Sequence, residues 1–265
     1  MPNGTRRGTS KARERWKGFV QLWKLERATD EIDSEELVIP LIIVSFVTGA
    51  LDSTCYADLA TFASNQTGNI IMLSVGAAGL APPGHNTLFN GISLVGYLVS
   101  AFLASSLANY FGTRLRFWIM LSHSMQVVLL LVGLILLATK VIVPRHVVLL
   151  VMLASASGVQ VAQARTSKVP EVPTAMLSTP IVDLIVDPNL FKLSMSDPSV
   201  QPRNRRAAHI FSMVIGSFVG AFMHKASGTV SVMAMSIGIK VMVTCGFWMI
   251  RSPKEKEAMK QRRAG

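Results

Sequence analysis

Two polar segments with helix-breaking residues follow long apolar runs, one in each half of the chain. The first is residues 62–69 (FASNQTGN) and the second is residues 172–183 (VPTAMLSTPIVD). Polar backbone next to Gly or Pro is tolerated at membrane depth only where protein or a water-filled cavity satisfies it. These two segments, the first and second polar motifs, are therefore predicted to meet at a central polar site.

The side chains in and near the two motifs offer amide, hydroxyl and charged groups to a solute or an ion. In the first motif they surround a glycine, which permits unusual backbone angles and exposes carbonyl groups. Asn and Thr also satisfy their own backbone at a helix break, so a purely structural role stays open. The predicted ligands are Asp52, Asn65, Thr67, Gly68, Asn69, Gln160, Thr174, Asp183 and Lys240.

Three of these residues are ionisable within apolar segments: Asp52, Asp183 and Lys240. A charged side chain inside the membrane is costly and usually faces a partner or a water-filled cavity. We expect Lys240 to pair with Asp52 or Asp183, with snorkelling to the interface as the alternative. Asp52 could carry a proton, bind a cation, or cap a broken helix.

Signatures of enzymes and metal sites are missing from the sequence. It has no HExxH pair, no GxSxG elbow and no Gly-rich phosphate loop, and its 5 His residues are scattered. His123 and Gln126 share one helix face, where a proton path or ordinary interhelical hydrogen bonding would use them. No enzyme, metal or cofactor is predicted; an intramembrane protease with Asp52 facing Asp183 is the remaining enzymatic alternative.

The composition is that of an integral membrane protein. Hydrophobic residues make up 50% of the 265 residues and charged residues only 15%, and the mean hydropathy is +0.43. Soluble domains carry about a quarter charged residues. The lipid bilayer is therefore a partner, and the net charge of +11 suits anionic headgroups, so no nucleic acid is predicted.

Six apolar segments are long enough to cross about 30 Å of hydrocarbon. Segments 70–80 and 175–186 are too short, which is typical of re-entrant or broken helices. With six crossings nearly all Lys and Arg fall on the side of both termini, which makes that side cytoplasmic. Eight crossings are the alternative, which the charge distribution favours less. The six predicted spans are 37–56, 88–111, 117–139, 147–163, 207–223 and 229–250.

An internal repeat relates the two halves of the chain. GYLVSAFL at 96–103 matches GSFVGAFM at 216–223, and each has small residues four apart that allow close helix packing: Gly96, Ser100, Gly216 and Gly220. Because three spans is an odd number, the second unit enters the membrane from the opposite side. The predicted fold is an all-α 3+3 inverted repeat with two short re-entrant or broken segments.

The chain divides into a membrane domain between two charged tails. The tails are 1–36 and 251–265, and the membrane domain, 37–250, comprises repeat 1 (37–139) and repeat 2 (145–250). Segment 187–206 is rich in Pro, Ser and Arg, a composition typical of a flexible cytoplasmic loop. Both termini are therefore predicted to be cytoplasmic.

Four short motifs occur in order along the chain: GALD at 49–52, FASNQTGN at 62–69, GVQ at 158–160, and VPTAMLST at 172–179 followed by Asp183. With these motifs the chain resembles the YoaK-like family of small multi-pass membrane proteins. The resemblance implies about six transmembrane helices and no established activity. The chain departs from the family pattern at Pro180, where relatives usually have Gly, and in the longer segment 187–206.

Inverted repeats with broken helices are common among secondary transporters. The function favoured by the sequence is therefore alternating-access transport of a small solute or ion. The alternative is a non-transporting membrane scaffold or assembly factor, in which the small-residue helix faces bind partners or form a homo-oligomer. An intramembrane enzyme is the least favoured of the three.

Overall fold

The structure is a computed structural model that describes residues 28–194, 197–250 and 261. Most of both predicted tails lies outside the described residues. Within them the chain is helical, and its isolated β-bridge pairs Glu31 with Leu115. The helices are α1 (Ser34–Leu59), α2 (Gln66–Ala77), α3 (Thr87–Phe111), α4 (Arg116–Ala138), α5 (Val147–Thr166), α6 (Ser178–Ile185) and α7 (Gln201–Met249), with a short 3-10 turn at Pro198–Val200 before α7.

Five helices of the described chain are long and apolar enough to cross a membrane: α1, α3, α4, α5 and the stretch that contains α7. Their outward side chains are apolar, for example Phe102 on α3 and Phe222 on α7. Burial of the most apolar stretch is 67% in both α1 and α5 but only 17% in α3. The protein is therefore an all-helical membrane protein with α1 and α5 at its centre.

The last helix is two antiparallel arms joined at Gly228. A helix of 49 residues would be about 74 Å long, more than twice the hydrocarbon thickness. Gly228 interrupts it with φ 76° and ψ 178°, backbone angles that favour glycine. We call residues 201–227 α7a and residues 229–249 α7b.

Contacts with α1 show that the two arms run in opposite directions. On α7a, Gly216 lies against Phe46, and His224 lies 3.5 Å from Asp58, so α7a runs parallel to α1. On α7b, Thr229 donates a hydrogen bond to Asp58, whereas Met242 and Ile250 line a groove together with the first turns of α1. The chain therefore turns back at Gly228 and returns along α1.

The long helices alternate in direction between two ends of the bundle, which we call the Ser34 end and the Leu59 end. At the Ser34 end Arg116, the first residue of α4, donates to the carbonyl of Phe247 in the last turn of α7b. At the Leu59 end the loop between α4 and α5 packs, through Ile142, in one apolar cluster with Leu59. The helices α1 and α5, which begin the two predicted repeats, therefore run in opposite directions.

Glycines allow two pairs of helices to pack backbone to backbone. A Cβ on Gly216 would lie 2.1 Å from the Phe46 carbonyl oxygen, and one on Gly220 would lie 2.5 Å from the Ala50 Cα. Both glycines press α7a onto α1. In the other pair, α3 and α5, a Cβ on Gly158 would lie 2.2 Å from the Ser100 Oγ, whereas one on Gly96 would meet nothing closer than 3.7 Å. The closest approach of α3 to α5 is therefore at Ser100, and Gly96 has room for a side chain.

Helix α7 extends into the segment 187–206, which was predicted as a flexible loop. Helix α7 begins at Gln201, six residues before the predicted span. The Arg203 Nη1 atom donates to the carbonyl oxygens of Asn189, Leu190 and Lys192, at 2.7, 3.0 and 2.6 Å. Composition alone could not predict this, because one arginine reaches back across the loop and ties it to the helix.

Candidate functional site

Three buried polar side chains form one stripe along α1. Ser45, Thr48 and Asp52 are 0%, 5% and 6% exposed, and their spacing of three and four residues puts them on the same side of a helix. Each of them bonds to a different part of the molecule. The stripe therefore connects the two polar motifs and a third cluster that lies between them.

Asp52 holds the first polar motif. Its Oδ1 atom accepts hydrogen bonds from the backbone N–H groups of Ala63 and Ser64, at 2.9 and 2.8 Å, and its Oδ2 atom accepts from the Ser64 hydroxyl. The chain turns just after α1, where Ala60 has φ 49°. Residues 63–64 therefore return to the depth of Asp52, about 10 Å back from the end of α1, and the motif is re-entrant.

The rest of the first motif satisfies its own backbone. Asn69 accepts from the Phe62 N–H at 3.0 Å and donates to the Phe62 carbonyl at 2.8 Å and to Ser93 on α3 at 3.1 Å. Asn65 caps α2 by accepting from the Gly68 N–H at 3.2 Å. Thr67 is exposed. The structural alternative named above thus accounts for the hydrogen bonds of Asn65 and Asn69.

His209 holds the second polar motif. Its Nε2 atom lies 2.9 Å from the Met176 carbonyl oxygen and its Nδ1 atom 2.8 Å from the Ser45 hydroxyl. Because a carbonyl only accepts, Nε2 carries the proton in the neutral ring and Nδ1 is an acceptor. The one hydroxyl proton of Ser45 is then shared between Nδ1 and the Leu41 carbonyl oxygen, which lies 2.9 Å away. Thr174 is fully buried with φ 63°, and its hydroxyl has no hydrogen-bond partner among the described residues.

The chain after the second motif turns outward in α6. Pro180 lies in the first turn of this helix, where a missing N–H costs no hydrogen bond. The Asp183 side chain is 49% exposed and lies 3.9 Å from the Arg206 Nε. Asp183 is therefore at the surface near the Ser34 end, away from the centre of the bundle.

The two motifs do not meet at the centre of the bundle, in contrast to the prediction. The first lies toward the Leu59 end and the second toward the Ser34 end, and no hydrogen bond joins them in the described chain. Their attachment points, Asp52 and Ser45, are about 10 Å apart along α1. Each motif re-enters the bundle from its own end and turns back before it reaches the other motif.

Lys240 occupies the centre instead. It is 1% exposed, and its ammonium group donates to the Oε1 atoms of Gln126 and Gln160, at 2.6 and 2.7 Å. Gln160 in turn donates to the Thr48 hydroxyl at 2.7 Å. Gln126 and Lys240 are near the midpoints of α4 and α7b. The expected ion pair of Lys240 with Asp52 or Asp183 is absent, since both aspartates bond elsewhere.

Several polar atoms around Lys240 are buried and have no hydrogen-bond partner beyond one another in the described part of the chain. His123 is one turn from Gln126, Gln163 one turn from Gln160, and Ser236 one turn from Lys240. The atoms are Gln126 Nε2 and Ser236 Oγ, together with the His123 imidazole and Gln163 Oε1, which lie within reach of each other and have no other partner among the described residues. With Thr48, Gln160 and Lys240 these residues form what we call the central cluster. Buried polar groups are normally paired, so this concentration is typical of a site for a polar solute.

Neither Thr48 nor His209 is among the predicted ligands. His209 is one of the scattered histidines of the sequence, yet it is buried between α1 and the second motif. Its spacing from Gly216 and Gly220, seven and eleven residues, is a helical period that puts it on the packing face of α7a. That spacing was the available signal.

Residues for a metal site are not grouped in the described chain, where no set of three or more His, Cys, Asp or Glu side chains could hold an ion together. Cys55 is buried and Cys245 exposed, and both are free thiols. The chemistry available at the central cluster is therefore hydrogen bonding and charge: one ammonium, three amides, one imidazole and two hydroxyl groups.

Comparisons with known proteins give one match. A family model described as protein of unknown function (DUF1275) matches residues 41–246, which confirms the resemblance found from the four motifs. Neither the curated proteins nor the solved structures include a significant match to the chain.

Proposed function

Since the chain belongs to the DUF1275 family, a family described only as protein of unknown function, we propose its function from the central cluster. The protein is a secondary transporter that moves a small polar solute or ion across a membrane by alternating access. Its transmembrane domain has six crossings, α1, α3, α4, α5, α7a and α7b, arranged as a 3+3 inverted repeat. Both termini are cytoplasmic.

Two features support the inverted repeat. The helices α1 and α5 run in opposite directions, and each is packed on the second long helix of the other repeat. The glycine contacts of the two pairs correspond: Gly49 approaches Ser217 of α7a, and Gly158 approaches Tyr97 of α3, residues that match in the GYLVSAFL and GSFVGAFM segments. The repeats are therefore interlocked about the centre of the bundle.

The observation that carries the transport proposal is the position of Lys240. The cluster around it draws Thr48, His123 and Gln126 from repeat 1 and the other members from repeat 2. Transporters of this architecture bind their solute at the boundary between repeats, near the middle of the membrane. When one repeat rocks against the other, the two hydrogen bonds that join the repeats at the cluster must change: Lys240 to Gln126 and Gln160 to Thr48.

The six-crossing topology predicts which loops share a side of the membrane. In a Cys55→Ala, Cys245→Ser background, Leu80→Cys and Ser227→Cys report on the Leu59 end and Phe191→Cys on the Ser34 end. Leu80 and Phe191 are 74% and 90% exposed. A membrane-impermeant maleimide applied to intact cells is expected to label the first two and to label Phe191→Cys only after permeabilisation. Labelling of Ser227→Cys together with Phe191→Cys would contradict a crossing at α7a.

The transport activity itself predicts a dependence on Lys240. Proteoliposomes on a solid-supported membrane are challenged with chloride, acetate, potassium, amino acids and sugars, and the transient currents are recorded. We expect at least one solute to produce a current that falls about tenfold or more in Lys240→Met, because an interaction of a buried charge is lost. Lys225→Met removes an exposed lysine near Gly228 and is expected to retain the current.

A current that survives in Lys240→Met would move the transport site away from the central cluster. If no solute produces a current in the wild type, the scaffold function becomes better supported than the transport function. An observation in its favour is the apolar groove between α3 and α5 on the lipid-facing surface, lined by Gly91, Gly96 and Ser155 among others. A helix of a partner protein or of a second copy would pack there.

A further inference from the structure

We propose that the central cluster binds a small monovalent anion, a halide or a short carboxylate, beside the Lys240 ammonium and the amide nitrogen of Gln126. This inference names the solute class of the transport site proposed above, and for the transport step it rests on that proposal. Binding itself is a separate property, which the purified protein would display without any flux.

Lys240 is a buried positive charge without a negative partner. Its side chain is 1% exposed, and no described residue forms a salt bridge with it. The two aspartates expected to neutralise it are already used, Asp52 by Ala63 and Ser64 and Asp183 at the surface beside Arg206. A buried ammonium without a counter-charge is costly, and an anion beside it removes most of that cost.

The two glutamine amides beside Lys240 have a defined orientation. An ammonium group has three donors and no acceptor, so both glutamines must turn their oxygen atoms toward Lys240. Gln160 then points its amide nitrogen to Thr48, whose hydroxyl donates to the Val44 carbonyl at 3.1 Å. Gln126 points its amide nitrogen to a place where the described residues offer no acceptor. The amide nitrogen of Gln160 is thus paired, whereas the amide nitrogen of Gln126 is available to a ligand.

The central cluster has more hydrogen-bond donors than acceptors. The third N–H of Lys240, the amide nitrogen of Gln126 and the hydroxyl of Ser236 can all donate. The one acceptor-only atom left in the cluster, Gln163 Oε1, is matched by the His123 imidazole. A cation would find few ligands here and would be repelled by Lys240. An anion finds a positive charge and several donors, which is the pattern of an anion site.

Thermal unfolding of the purified protein in detergent, followed by tryptophan fluorescence, tests binding directly. The probes are sodium chloride and sodium acetate, titrated against a bulky buffer sulfonate at constant ionic strength. Wild type and Lys225→Met are expected to gain a concentration-dependent rise in Tm. Lys240→Met is expected to lose at least about tenfold in apparent affinity, because the charge partner of the anion is gone.

The Gln126→Glu variant tests the same site without changing Lys240, so the test does not depend on the folding of Lys240→Met. It supplies a carboxylate next to Lys240 from within the protein, so we expect a higher Tm than wild type without added anion, by on the order of 5 °C, and no further rise with chloride or acetate. Gln126→Met lacks that carboxylate and is expected to have no such gain.

The outcomes separate this inference from the transport proposal. A response to acetate alone assigns the site to carboxylates, and a response to both probes assigns it to small monoanions in general. Absence of any anion response in the wild type, or an undiminished one in Gln126→Glu, would overturn the inference. Anion binding without flux would support the anion site and contradict the transport function. Flux of a cation or a sugar without anion binding would support transport and contradict the anion site.

Discussion

Gly216→Ala is expected to destabilise the protein by about 3 kcal/mol, a fall in Tm of roughly 10 °C. The added Cβ would lie 2.1 Å from the Phe46 carbonyl oxygen and 2.8 Å from its Cα. Both are backbone atoms, which cannot rotate out of the way, so α7a would have to move away from α1. Thermal unfolding in detergent measures the effect.

Gly96→Ala is the matched control, since Gly96 has the same place in the first repeat. Its Cβ would meet only ordinary contacts, the nearest at 3.7 Å, and alanine favours the helix by about 1 kcal/mol over glycine. We therefore expect no loss of stability at Gly96. Equal losses at both positions would mean that α3 packs on α5 more closely than the structure describes, and no loss at either would contradict the close packing of α7a on α1.

Asp52→Ala is expected to cost about 4 kcal/mol and to free the first polar motif. The substitution removes the acceptor of two buried backbone N–H groups and of the Ser64 hydroxyl, and each buried donor left unpaired costs about 1–3 kcal/mol. Besides a lower Tm, we expect a cysteine at Ala63 to react with a maleimide at least about tenfold faster in the variant, because residues 60–65 lose their attachment to α1.

Asp52→Asn separates the two roles that the sequence left open for this residue. An asparagine keeps one oxygen for the N–H groups of Ala63 and Ser64, and its amide can donate to the Ser64 hydroxyl. If Asp52 is a cap, the variant is expected to keep its stability within about 1 kcal/mol and to keep transport. A variant that folds as well as wild type but transports nothing would instead make the charge of Asp52 part of the transport cycle.

Membrane class, long helices and helix breaks were predictable because they depend on local properties of the chain. The length of an apolar run compared with the hydrocarbon thickness identified α1, α3, α4 and α5 to within a few residues. Gly and Pro restrict or widen backbone angles whatever surrounds them, which is why 62–69 and 172–183 were recognised as breaks. The turn at Gly228 was likewise predicted as the boundary between the last two spans.

The partners of the central side chains could not be predicted in the same way. Lys240 bonds to residues that are 114 and 80 positions away in the chain, so its environment depends on which helices are neighbours and on how each is rotated. The spacing of residues along one helix predicts which face of that helix is buried, but it does not predict which neighbouring helix packs on that face. The packing of glycines on α1 and α5 sets those rotations, and through them it brings two glutamines, rather than the expected aspartates, to the buried lysine.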